Sequence, residues 1–173
     1  MALLNKQDVI DALTHLGRLA CAEGLTLDLL LVGGGVMVLD LAARESTHDI
    51  DAVALFSTAS ATVRRLAAEV AAKNGWREDW LNDAAKGFMA GSTTPIVIFE
   101  APGVRVYRPA YCQLLGMKLC AWRDDVDISD AGLLLSKLPG TREEVWNAVC
   151  PHLLPGRELT AKYAFDDLWE QTL

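Results

Sequence analysis

Two aspartates, Asp49 and Asp51, stand one residue apart in "HDIDAVALF", and three glycines, Gly33, Gly34 and Gly35, stand upstream in "LVGGGVMVLD". On a strand, side chains alternate with period two, so both carboxylates take the same face. Two like charges held that close are most easily kept by a bridging cation, and hard oxygen ligands suit Mg²⁺ or Mn²⁺. Glycines let a backbone approach a phosphate closely, and a helix opening just after them offers free N–H groups to an anion. A phosphate grip beside a metal grip is the layout of phosphoryl transfer. The plainer alternative is a solvated strand end beside a tight turn that needs positive φ. Unpaired carboxylates on a buried strand are costly, which favours the metal reading of the aspartates, while the turn and the phosphate grip can coexist. The run "GGGVMV" lacks the third glycine of G-x-G-x-x-G, so dinucleotide binding is the weaker expectation.

The elements that must hold these residues follow from periodicity. Residues 5–23 predict a helix capped by Asn5, with Asp8 three positions on and Gly24 as its stop. "LTLDLLLV" (25–32) predicts a buried strand, which the glycines turn into a helix over roughly 36–44. "DIDAVALF" (49–56) predicts a strand and 58–74 a third helix. "WREDWLNDAAKGFMAGSTT" has no clear period and reads as a loop with short helical pieces. "PIVIFE" (95–100) and "VRVYR" (104–108) predict a hairpin around Pro102-Gly103. From Pro109 onward four helices are expected, in "AYCQLLGMKLCAW", "SDAGLLLSKL", "TREEVWNAV" and "ELTAKYAFDDLWEQ". Thr141 with Glu144 forms a capping box at the third of these.

Composition sets outer bounds. The chain of 173 residues is 51% hydrophobic, enough for a real core, and its net charge of −7 argues against a broad nucleic-acid footprint. Its four cysteines form no C-x-x-C pair and predict buried free thiols in a reducing cytoplasm. The three histidines lack zinc-ligand spacing. No signal peptide and no apolar run long enough to span a membrane is read in the sequence.

The order Gly33-Gly34(-Gly35), short helix, Arg44-x-x-Thr47-x-Asp49-Ile50-Asp51 resembles the signature of the DNA polymerase β-like nucleotidyltransferase superfamily. Thirteen residues separate Gly35 from Asp49. "DWLNDAAKGF" (79–88), "YRPAYCQLLGMKLCAWRDDVDISDAGLLL" (107–135) and "VCPHLLP" resemble a nucleotidyltransferase-like group akin to the AbiEii-type toxins of bacterial toxin–antitoxin pairs. The likeness runs from about residue 28 to 170. It implies that Gly33, Gly34 and Gly35 approach nucleotide phosphates and that Asp49 and Asp51 hold the metal. It further implies that Lys118 lies near the triphosphate, that Asp127 and Asp130 are the downstream acidic pair, and that Arg123 accompanies them. Active members usually carry a third acid on a later strand. Here Glu100 or Asp127 completes the site, or the site is incomplete, because the central position of the return strand is Arg105.

Each of these residues also has a plainer reading. Lys118 can snorkel from an amphipathic helix. Asp127 and Asp130 can favour a helix dipole. Arg44 can hold Asp49 or a phosphate, or merely decorate a helix end. Trp76 and Trp80, four apart, can fill a core or shelve a base.

The expected fold is α/β (α+β): a short mixed sheet flanked by helices over 1–108, then a helical part over 109–173 packed on it. The expected activity is transfer of a nucleoside monophosphate from a Mg²⁺- or Mn²⁺-bound NTP to an acceptor hydroxyl on tRNA or protein. An antitoxin or a second copy is the expected protein partner, and no membrane is involved. The alternative is a catalytically silent binding or regulatory module on the same fold.

Overall fold

The computed structural model describes residues 3–122 and 124–172, a mixed α/β chain. Its elements run β1 (Leu4–Asn5), α1 (Lys6–Ala22), β2 (Leu27–Val32), α2 (Gly34–Leu39), β3 (Ser46–Thr47), β4 (Ile50–Ala54), α3 (Ser60–Asn74), β5 (Leu81–Asn82), β6 (Ile96–Ala101) and β7 (Val104–Arg108). Four helices follow: α4 (Tyr111–Ala121), α5 (Asp125–Ser136), α6 (Arg142–Val149) and α7 (Glu158–Thr172). Contacts divide the chain into two compact units. A sheet unit comprises the chain up to Lys86 with Pro95–Arg108, and a helical unit comprises Gly87–Thr94 with Pro109 onward.

In the sheet unit the strand order is β5-β4-β2-β7-β6. β2 pairs antiparallel with β4 and parallel with β7, while β5 runs parallel to β4 and β6 antiparallel to β7. Leu27, Leu29, Leu31, Ile50, Val104 and Val106 are buried on one face. α1 comes down on this face so closely that a Cβ added at Gly17 would lie 2.4 Å from the Pro102 carbonyl oxygen and 2.8 Å from Val104 Cγ1. By the same alternation Asp28, Leu30 and Val32 point to the other face, with Asp51 opposite Val32 and Arg105 opposite Asp28. A separate two-stranded ladder pairs Leu4 with Thr47 and Asn5 with Ser46. Asn5 then caps α1 through a capping box with Asp8.

Several boundaries differ from the sequence expectation. The helix expected over 36–44 starts at Gly34 and ends at Leu39. The Asp40 N–H makes the last i→i−4 bond, to the Val36 carbonyl; the Leu41 N–H turns back to that same carbonyl, and Ala42 enters the left-handed region at φ 49°, which ends the ladder. Asp49 precedes β4 rather than lying in it. The segment 76–94 holds the short helical pieces expected of it, at Glu78–Trp80 and Ala84–Phe88, but it also contains β5, and β1 and β3 were not expected.

The helical unit takes in Gly87–Thr94 through polar ties. The Thr93 hydroxyl accepts from the Ala110 N–H at 2.8 Å and donates to Gln113 Oε1 at 2.9 Å, and Gln113 Nε2 donates to the Gly91 carbonyl at 3.2 Å. Leu115, Leu119, Ala131, Leu134, Val149 and Phe165 form its interior. Phe165 stacks between Trp146 and Trp169, with centroid distances of 5.0 and 5.7 Å. Thr141 and Glu144 form the expected capping box on α6. All four cysteines are free, but only Cys120 is buried, while Cys21 and Cys150 are exposed. Among the described residues no helix is long and apolar enough to cross a membrane.

Candidate functional site

The glycine elbow sits where β2 ends. Gly33 has φ 60° and ψ −140°, a backbone that side-chain-bearing residues rarely adopt. A Cβ placed there would lie 3.3 Å from Asp51 Oδ2, so the elbow and the second aspartate share one space. A Cβ at Gly34 would lie 2.6 Å from Thr47 Oγ1 and 3.4 Å from Arg44 Nη1. Gly35 is different: its open side faces the Ile50 and Leu31 side chains, so its smallness serves helix–sheet packing.

Thr47 ties the two motifs together. It is buried, paired to Leu4 in the small ladder, and its hydroxyl donates to the Asp49 carbonyl at 3.0 Å. Asp49 is exposed and Asp51 half-buried. Asn82 on β5 donates to Asp49 Oδ2 at 3.2 Å, and Asn82 is the register partner of Asp51. Sequence reasoning missed Asn82, because a two-residue strand carries no period to read. The structure therefore brings together Gly33, Gly34, Arg44, Thr47, Asp49, Asp51 and Asn82.

Glu100 is not brought to this group. It stands opposite Arg105, which stands opposite Asp28, four residues down β2 from the Val32–Asp51 pair. At usual strand spacings that is roughly 13 Å along the strands and roughly 14 Å across them. Glu100 instead accepts from Arg105 Nε at 3.1 Å, and Arg105 belongs to a network in which the Tyr107 hydroxyl donates to Asp28 Oδ1 at 2.9 Å. Among the described residues no group of three or more His, Cys, Asp or Glu side chains is placed to hold a metal ion.

Lys118, Asp127 and Asp130 belong to the helical unit. Lys118 Nζ lies 2.8 Å from Asp127 Oδ1 and 2.8 Å from Asp130 Oδ2, and the three residues are only 9%, 2% and 3% exposed. The ion cluster joins α4 to the first turns of α5, whose N-cap Asp124 accepts from the Asp127 N–H. Arg123 lies outside the described residues.

Beside Asp49 the sheet unit opens into a cleft of about 390 Å³ that includes His48, Trp76, Arg77, Asp79 and Trp80 in its lining. Trp80 is buried, and its indole N–H donates to the Ala67 carbonyl at 2.9 Å. The Trp76 ring meets it edge-on, with centroids 5.6 Å apart. Arg77 grips both Asp79 oxygens, Nε to Oδ1 at 2.8 Å and Nη2 to Oδ2, and this pairing holds the Asp79 carboxyl below the usual carboxylate range.

Comparison with known proteins finds no matching family model, curated protein or solved structure.

Proposed function

We propose that this chain binds a metal–nucleoside triphosphate where the glycine elbow meets the aspartate pair and transfers the nucleoside monophosphate to an acceptor hydroxyl. The observation that carries this reading is the contact geometry at Gly33, where the space a side chain would fill opens directly onto Asp51 Oδ2. The lack of a side chain at Gly33 leaves room beside Asp51 for β- and γ-phosphate oxygens, while Gly34 lets Thr47 and Arg44 come close, and Arg44, with Nη1 at Gly34, adds positive charge there. Asp49 and Asp51 fit the hard-donor set of Mg²⁺ or Mn²⁺, which is commonly held by one or two carboxylates plus substrate phosphates. When bound there, the ion would neutralise phosphate charge and lower the cost of the departing pyrophosphate. Thr47 and Asn82 keep Asp49 in place, the first through its backbone carbonyl and the second through its carboxylate.

The resemblance to AbiEii-type toxins is the ground for proposing a tRNA or protein hydroxyl as acceptor and an antitoxin as partner. The decisive experiment is label transfer from α-³²P-NTP with Mg²⁺ in a lysate. Transfer by the wild type, lost in Asp49→Asn/Asp51→Asn, supports the reading. No transfer with any of the four nucleotides counts against it.

A second reading, a catalytically silent nucleotide-binding module, is favoured by the position of Glu100, which is paired to Arg105 and remote along the sheet from Asp51. It predicts thermal stabilisation by Mg²⁺ plus NTP without any label transfer.

A further inference from the structure

We infer that the cleft beside Asp49 is the seat of the nucleobase, with Trp76 as its stacking surface; this rests on the nucleotidyl-transfer reading and extends it. Gly33 closes β2, Asp51 follows on the neighbouring β4, Asn82 on β5 lies beside Asp51 and binds Asp49, and Asp49 lines the cleft. A nucleoside triphosphate has the same order. Its β- and γ-phosphates belong at the elbow, its α-phosphate at the carboxylates that hold the metal, and its sugar and base beyond them, on the Trp76 side.

The cleft's size and lining suit a base. Its volume of about 390 Å³ falls in the range of small-ligand sites. Arg77 is matched by its two-point grip on Asp79, and Asp49 adds a negative charge to the lining, so the cleft's own side chains offer no excess positive charge for a phosphate. A flat, uncharged ring system fits such walls, and stacking on tryptophan is the interaction that every base can make.

Trp76 is also held ready. Gly75 ends α3 in the left-handed conformation at φ 66°, and the Trp76 N–H returns to the Ala71 carbonyl at 3.0 Å. Behind it, the buried Trp80 is locked by its bond to Ala67, so Trp76 rests edge-to-face on a fixed partner while remaining half-exposed.

The test compares Mg²⁺-ATP with Mg²⁺-tripolyphosphate, a probe that keeps the phosphates and lacks sugar and base, by isothermal titration. The wild type is expected to bind ATP more tightly than tripolyphosphate. Trp76→Leu is expected to lose about ten-fold in ATP affinity, in line with measured base–aromatic stacking, with tripolyphosphate affinity unchanged. Asp51→Asn is expected to lose both. Should Trp76→Leu fail to fold, Trp76→Phe serves, with a several-fold loss for ATP alone. Equal affinity of the wild type for the two probes, or an unchanged ATP affinity in a folded Trp76 variant, overturns the base site and leaves the phosphate and metal site standing. If the wild type binds neither probe, the nucleotidyl-transfer reading falls and the base site falls with it.

Discussion

Gly33 and Lys118 show how two residues singled out for the same substrate answer to different physics. At Gly33 the backbone is in a region that costs a side-chain-bearing residue about 1–3 kcal/mol, and any Cβ would press on Asp51 Oδ2. Gly33→Ala should therefore lower the urea unfolding free energy by about that amount and also abolish stabilisation by Mg²⁺-ATP in a thermal-shift assay. A stable Gly33→Ala protein that still responds to Mg²⁺-ATP would show that the elbow does not carry the phosphates. Lys118 is buried between Asp127 and Asp130 and joins two helices. Removing a charge from inside such a cluster leaves its counter-charges without compensation and costs about 3–5 kcal/mol. Lys118→Met should show that loss in urea unfolding. A variant that unfolds like the wild type would show that this cluster does not hold α4 to α5.

At the scale of elements, α1 and α3 meet beside a polar cleft whose lining includes His15, Arg18 and Lys73. Burial, then the charges of Lys73 and Arg18, lower the His15 pKa below 6.5, against a smaller opposite pull from Glu69. The folded chain thus takes its proton later than the unfolded one. Both forms are neutral well above pH 6.5, and stability is lost as the pH falls through that value toward the folded-state pKa. His15→Gln should flatten the fall in the urea midpoint between about pH 7.5 and about pH 5.5, the range where an ordinary histidine titrates. An unchanged slope would assign the pH dependence to other groups.

Legibility follows length and cap chemistry at this scale. α1 and α6 could be read because Asn5–Asp8 and Thr141–Glu144 announce them, and the hairpin because "VRVYR" alternates around a Pro-Gly turn. β1, β3 and β5 have two residues each, too few for any period, and they are held by pairing with distant segments. That is why Thr47 could be noticed as part of a spacing but its anchoring by Leu4 could not, and why Asn82 went unseen. Glu100 is the expected third metal ligand because it is the only acid on the strands predicted over 95–100 and 104–108. Only the hairpin register, which sets it against Arg105, shows how far it stands from Asp51.

Over the whole molecule, 23 acidic against 16 basic residues give a net charge of −7. The summed field therefore opposes anionic ligands at long range, whatever the local chemistry at the elbow. Raising the ionic strength from about 0.01 M to about 0.15 M shortens the screening length from about 30 Å to about 8 Å. The affinity for Mg²⁺-ATP should accordingly hold steady or rise over that interval, since screening removes repulsion while the short-range contacts at Gly33, Asp49 and Asp51 remain. An RNA acceptor is subject to the same field. For single strands, log K falls with log[salt] by about 0.7 for each phosphate neutralised. A chain this acidic should engage an RNA end through very few phosphates, so a filter-binding titration should give a slope shallower than about −2. A much steeper slope would show a basic groove strong enough to overcome the net charge. In that case RNA would be gripped along its length rather than presented by one hydroxyl to the sheet end.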